Sequence, residues 1–397
     1  MVRARRQSIV LLAVAAAGVG ALVASVPAAS ASTGPRALRL NPTYWIGFEG
    51  PLSGPYASFG INERNGVRLA IAKANASGNL PFQLRFTAAD DQGDPSQAPA
   101  AALALVNNAL VKGVIGPSFS GATLAAEPTY QTAHLATVNP SASNPTLSHQ
   151  GWRVFHRLIP SDAIEGAFSA DWLARRGTQR MFVVQDRSAY GLTVGNAVTR
   201  EARAKGIHVT YVAQDGTTTT NYRPLANRIT SAGVHAVFYA GYDAQAARLA
   251  RALVHAGYRG VRISGNGIFS SVFTQDAGAA GNGYYLACGC MNKYATPAQH
   301  AFATAYRARY HRAPGLYSAQ AYDATNALIR AIKAAVAGGH TSRRAVNAAL
   351  RSVDFAGVST QVKFARNGDI ARSAARVNLF QVQHRRFVEL GDIRRRG

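Results

Sequence analysis

Residues 111–139 read VKGVIGPSFSGATLAAEPTYQTAHLATVN. An apolar run at 111–115 is followed by a loop of Gly, Pro and Ser, and a second apolar run closes the stretch at 135–139. Short apolar runs rich in β-branched residues, bounded by turn formers and separated by helical stretches, are the pattern of a parallel sheet covered on both faces. The pattern recurs on either side. Strands are predicted at 44–48, 82–88, 111–115, 135–139, 181–185, 209–213, 236–240 and 261–264. Intervening segments such as 65–74 and 98–110 carry apolar residues at three- and four-residue spacing, as helices do. A single doubly wound sheet does not need 397 residues, so the α/β chain is expected to form two such lobes. The stretches 152–162 and 283–291 read as extended crossings, long helices follow over 296–337, and 376–383 with 386–390 form a hairpin-like pair.

Composition narrows the function. Hydrophobic residues make up 48% of the chain and charged ones 16%, which excludes wholesale disorder. The net charge is +24, with 37 Arg, but the arginines are scattered along the chain, singly or as adjacent pairs, apart from the run Arg394-Arg395-Arg396. A nucleic-acid binder gathers such charge into a stripe or a groove-reading helix, so no nucleic-acid partner is expected. Two cysteines exclude a disulfide scaffold and a four-cysteine zinc module. There is no helical histidine pair, P-loop, G-x-S-x-G elbow or H-E-x-x-H, and no metal, cofactor or enzymatic reaction is expected. Arg3, Arg5 and Arg6, the apolar stretch 9–26 and Ala29-Ser30-Ala31 make 1–31 an export signal. Beyond it no apolar run reaches the roughly 20 residues that span a bilayer. Removing the three signal arginines leaves +21, a charge drawn to anionic wall polymers or lipid headgroups.

In parallel α/β sheets, ligands bind beyond the carboxyl ends of strands. Three loops occupy such positions: Gly50-Pro51-Leu52-Ser53-Gly54-Pro55, Gly116-Pro117-Ser118-Phe119-Ser120 and Asn139-Pro140-Ser141-Ala142-Ser143-Asn144. The two serine-rich loops offer hydroxyls and backbone N–H groups suited to a carboxylate. The plainer role for Ser120 and Ser143 is helix capping.

Six segments in order, GPLSGPYASFG, AADDQGDPSQA, GVIGPSFSGAT, NPSASNP, QDRSAYG and FYAGYDAQAARLARALVHAG, resemble the branched-chain amino-acid-binding family. These are type I periplasmic solute-binding proteins of ABC importers, and the resemblance runs from about Tyr44 to Asp392. It implies two Rossmann-like lobes joined by three hinge crossings, an N-lobe of 32–158 plus 290–373 and a C-lobe of 159–289 plus 374–393. It also implies a small-molecule ligand in the cleft, an amino acid or amide. A membrane permease is the implied partner, and the protein is expected to be exported to the periplasm or cell exterior, as a monomer. The alternative is a receptor-type sensor of amides, urea-like or aromatic solutes. By resemblance, Ser120, Ser141, Ala142 and Ser143 hold the ligand carboxylate, Phe59 and Tyr317 line its side-chain pocket, and Tyr190 and Tyr242 close over it.

One departure from the family bears on the ligand. Amino-acid binders carry a carboxylate for the ligand ammonium in the loop after the fourth C-lobe strand, but Ser264-Gly265-Asn266-Gly267-Ile268-Phe269 has none. A buried ammonium needs a paired charge or several acceptors, so Asn266, Asp243 or Glu49 is expected to substitute. A disulfide that some members place between the second and third motifs is absent, since Gly93 and Phe119 stand there. Asp90, Asp91 and Asp94 read as a polar strand-end loop and not a calcium site. Cys288 and Cys290 are two thiols or one bridge; on an extended strand their Cα atoms would lie about 6.5–7 Å apart.

Overall fold

A computed structural model describes residues 41–214, 218–291, 294 and 296–396; the expected export signal at 1–31 lies outside the described residues. The first sheet contains β1 (Thr43–Gly50), β2 (Gln83–Asp90), β3 (Val111–Ile115), β4 (Ala136–Asn139) and β5 (Phe155–Arg157). All pairs are parallel, in the order β2-β1-β3-β4-β5. Helices α1 (Ala57–Ala76), α2 (Ala98–Val106) and α3 (Ser120–Thr132) make the crossovers. Edge strand β2 alternates exposed and covered residues at its start, whereas β4 is buried throughout.

The chain then passes to a second unit of α4 (Asp162–Arg175), β6 (Arg180–Gln185), α5 (Ala189–Ala204), β7 (His208–Ala213), α6 (Arg223–Ser231), β8 (Ala236–Ala240), α7 (Asp243–His255), β9 (Val261–Ser264), α8 (Ser271–Ala277) and β10 (Tyr285–Cys288). It returns to the first unit with α9 (Pro297–Tyr310), α10 (Ser318–Ala337), α11 (Arg343–Leu350) and a small hairpin, β11 (Asp354–Ala356) and β12 (Gln361–Lys363). It ends in the second sheet with β13 (Asn378–Gln383) and β14 (Arg386–Asp392), giving the order β14-β13-β10-β9-β8-β6-β7. Strand β13 pairs antiparallel with both β10 and β14, and the rest of that sheet is parallel. Two Rossmann-like lobes are therefore joined by three crossings, between β5 and α4, β10 and α9, and β12 and β13.

Apolar burial explains the arrangement. Central strand β8 is buried at every residue, as a strand covered on both faces must be. Helix α10 completes the first lobe: Ala321, Leu328 and Ile332 share a core with Val67 of α1 and Ile115 of β3. Each of the Val, Leu and Ile side chains contributes about 1.5–3 kcal/mol on burial. The stretch 152–162 is not wholly a crossing, because its centre pairs with β4 as β5. The elements α11, β11 and β12 are additions to the sequence reading.

Candidate functional site

The carboxyl ends of β3 and β4 carry the serine loops. Gly116 has φ +109°, and a Cβ there would lie 2.1 Å from the Glu49 carbonyl oxygen, so only glycine lets the first loop turn here. Asn139, at the end of β4, binds the two loops together. Its Oδ1 accepts from the N–H groups of Ser141 and Ala142 at 3.0 and 2.6 Å, and its Nδ2 donates to Thr123 Oγ1 at 3.1 Å. The Ser141 hydroxyl donates to the Ser118 carbonyl at 2.7 Å, and Ser120 Oγ accepts from Asn144 N–H at 3.3 Å. Buried Arg157 holds the second loop from below, donating to the Asn144 carbonyl at 2.7 Å while pairing with Asp369. Neither Ser120 nor Ser143 caps a helix. Ser120 is the first residue of α3 after Phe119, and the Ser143 hydroxyl instead accepts from Asn266 Nδ2 at 3.3 Å.

The opposite wall comes from the second lobe. Tyr190, in the first turn of α5, is 2% exposed, and its hydroxyl accepts from Gly267 N–H at 3.1 Å. Tyr242 precedes α7, and Asp186 accepts its N–H at 3.0 Å. The Tyr242 ring packs 5.4 Å from Tyr190 and, across the cleft, 5.2 Å from Phe119 and 5.7 Å from Tyr56. Tyr317 enters α10 through a left-handed residue at φ +58°, which turns its buried ring toward the cleft.

Nine of the ten expected residues (Phe59, Ser120, Ser141, Ala142, Ser143, Tyr190, Tyr242, Asn266 and Tyr317) line one cavity of about 20 Å³, joined by Ser118, Phe119 and Gly267. That volume holds little more than a water molecule, so an amino-acid-sized guest enters only when the lobes part. Asp243 is the exception. It is the first residue of α7, and its carboxyl accepts from the Ser270 hydroxyl and from Ala244 N–H, away from the cavity. Glu49 is also turned away, buried at the end of β1 against the Tyr130 hydroxyl.

Two carboxyls behind the walls escaped the sequence reading. Glu63 of α1 is fully buried and accepts from the Ser118 hydroxyl at 2.7 Å; burial pushes it up to about 8, although Ser118 and Ser141 hold it down. Glu165 of α4 is 1% exposed and accepts from Asn266 N–H at 3.1 Å and from Asn266 Nδ2 at 3.2 Å. Burial, and next the charge of Asp162, place it well above the usual carboxylate range. A signal for Glu165 existed: Asp162, Glu165, Gly166 and Ser169 recur at three- and four-residue spacing and form the buried face of α4. No Lys, Arg or His lines the cavity.

The remaining motifs are structural. Asp90, Asp91 and Asp94 accept from backbone N–H groups of their own turn. Among the described residues no cluster of three His, Cys, Asp or Glu side chains could hold a metal, and no helix is long and apolar enough to cross a membrane. Cys288 and Cys290 form a disulfide with Cα atoms 5.0 Å apart, closer than an extended strand allows, because β10 ends at Cys288.

Known proteins agree with this geometry. The chain is 28% identical over 330 residues to a leucine-, isoleucine-, valine-, threonine- and alanine-binding protein of Pseudomonas aeruginosa, covering 83% of this chain and 87% of that one. A leucine-binding protein from Thermotoga maritima superposes with a TM-score of 0.79 at 21% identity, covering 87% of this chain and 97% of that one. A solute-binding protein of an ABC transporter from R. palustris, solved with benzoate, gives 0.78 at 19% identity, covering 88% and 96%. The profile of the periplasmic binding protein family matches residues 43–385, and the chain belongs to that family.

Proposed function

We propose that this protein is the extracytoplasmic solute-binding component of an ABC importer, and that it closes on an amino acid or its amide without transforming it. One observation carries the reading: hydroxyls from two strand-end loops of one lobe face Tyr190, Tyr242 and Asn266 of the other around a single cavity. The Pseudomonas relative, named for five small and branched amino acids, supports this ligand class. Hinged closure about three crossings buries the solute and presents the closed form to a membrane permease. Export fits the Cys288–Cys290 disulfide, a bond that persists in oxidising compartments. We assign the nine cavity residues named above as ligand contacts and take the working unit to be a monomer.

The test is mass spectrometry of small molecules released from the purified, denatured protein, followed by calorimetry across the standard amino acids and their amides. An amino acid or amide bound at micromolar or tighter Kd is the expected result. A protein that releases no solute and binds none of the panel would overturn the reading.

A further inference from the structure

We propose that the cleft selects a protonated amine and that Glu165, delivered from α4 rather than from the loop after β9, is the group that receives it. This rests on the solute-binding reading above and narrows it.

The first argument is charge balance. No basic side chain lines the cavity, while carboxyls stand behind both walls. Glu63 lies behind the serine loop, bonded to Ser118; Glu165 lies behind Asn266; and Asp162 is bonded to Thr193 and Ser143. Buried Arg157, behind the second serine loop, is already paired with Asp369, so a bare organic anion closed into this site would meet acidic groups with no unpaired cation to offset it. A zwitterion brings its own cation.

The second argument is the state of Glu165. It is 1% exposed, and the partners described for it are uncharged donors: the backbone and side-chain amide of Asn266 and the backbone of Gly289. Among the described residues no Lys, Arg or His forms an ion pair with it. Ionised, a carboxyl buried among neutral donors is costly, so burial holds Glu165 toward its protonated form, and a cation entering beside it lets it ionise.

The third argument is what occupies the space between the lobes. Asn266 Nδ2 donates to Glu165 Oε2 at 3.2 Å on its own lobe and to Ser143 Oγ at 3.3 Å on the other. A single amide nitrogen thus serves a carboxylate and a hydroxyl at once, with two hydrogens. An ammonium has three hydrogens and a full charge, and satisfies both acceptors with one to spare. The loop is shaped to allow this approach. A Cβ added at Gly265 would lie 2.4 Å from Glu165 Oε1 and 2.5 Å from Tyr190 Oη, so only glycine lets it rest on both groups.

The experiment is calorimetry on the full chain with the standard L-amino acids, with the analogue of the tightest binder that carries hydrogen in place of the amine (4-methylpentanoate if that binder is leucine), and with benzoate. In the wild type, loss of the amine should weaken binding at least 100-fold, and benzoate should bind no better than that analogue. Glu165→Gln, which keeps the shape and an acceptor for Asn266, should weaken the amino acid at least tenfold and leave the amine-free analogue within threefold, a split that a general structural defect would not produce. Wild-type binding of benzoate or the amine-free analogue as tight as the amino acid would overturn the assignment while leaving solute binding intact. So would a folded Glu165→Gln protein that keeps its amino-acid affinity. If that variant does not fold, the wild-type comparison decides alone. If no member of the panel binds, both the solute-binding reading and this assignment fall.

Discussion

Asn266 and Ser143 meet across the cleft: the side-chain amide of one lobe donates to the hydroxyl of the other at 3.3 Å. Asn144 Nδ2 donates to the Ala189 carbonyl at 3.0 Å and Asp162 N–H to the Ser143 carbonyl at 2.8 Å, so the Asn266–Ser143 bond is one of several polar bonds that tie the serine loop to the second lobe.

Removing the first tie should shift the protein toward its open form. Asn266→Ala deletes a hydrogen bond of about 1 kcal/mol, roughly fivefold in the open-to-closed ratio. Small-angle X-ray scattering of the unliganded variant should show a larger radius of gyration than the wild type. An unchanged radius would mean that the Asn144–Ala189 bond and the ring packing of Tyr242 on Phe119 and Tyr56 hold the closed form without Asn266.

The two serines should separate binding from stability. Ser143→Ala should weaken ligand affinity by about 1–3 kcal/mol and lower the melting temperature without ligand less than Ser120→Ala does, because Asn266 Nδ2 keeps Glu165 as an acceptor. Ser120→Ala should lower both, because Ser120 Oγ also accepts the buried Asn144 N–H, which would then lack its partner. Calorimetry paired with thermal melts distinguishes the two outcomes.

Stability should fall as pH rises from about 4.5 to 8. Burial raises the Glu63 and Glu127 carboxyls from 4.5 to about 8, so the folded protein holds protons in this window that the unfolded chain has released. Their contribution is therefore complete below the unfolded value and is lost as pH passes through the folded one. The slope is at most about 1.4 kcal/mol per pH unit for each group. Urea denaturation at pH 5, 6.5 and 8 should show the decline, and Glu127→Gln should flatten it. A rise in stability over that range would contradict the burial of both carboxyls.

Loss of the disulfide should cost little. Cys288 and Cys290 are two residues apart, so the closed ring is very short and the chain-entropy gain is about 1.5 kcal/mol, against about 3 for a 15-residue loop. A Cys288→Ser, Cys290→Ser protein should fold and melt a few degrees lower. Complete failure to fold would show that the bridge shapes the second crossing itself.

Much of this architecture was legible from residues 111–139 outward, because a strand buried on both faces has no choice but to be continuously apolar. The runs at 111–115, 236–240 and 261–264 coincide with β3, β8 and β9. The hairpin of β11 and β12 was not legible, since three residues carry no periodicity. Asp243 was expected at the ligand as a substitute for the missing ammonium partner, but the first turn of α7 swings it apart from Tyr242, and its carboxyl ends on Ser270. Glu165 was missed for the opposite reason. Acidic residues in the first turn of a helix ordinarily face water and favour the helix dipole, which outweighs the spacing of Asp162, Glu165, Gly166 and Ser169 until the placement of α4 beneath Asn266 shows that this face is covered.

The three crossings carry a consequence for how the molecule is made. The sheet of the first lobe is complete when β5 ends at Arg157, yet α10, which covers it, begins only at Ser318, after the whole parallel part of the second sheet. The second sheet in turn waits for β13 and β14 at the end of the chain. Neither half can finish folding while the polypeptide is still emerging, and contacts so distant in sequence form slowly. No single cut in its gene would release either lobe as an independent unit.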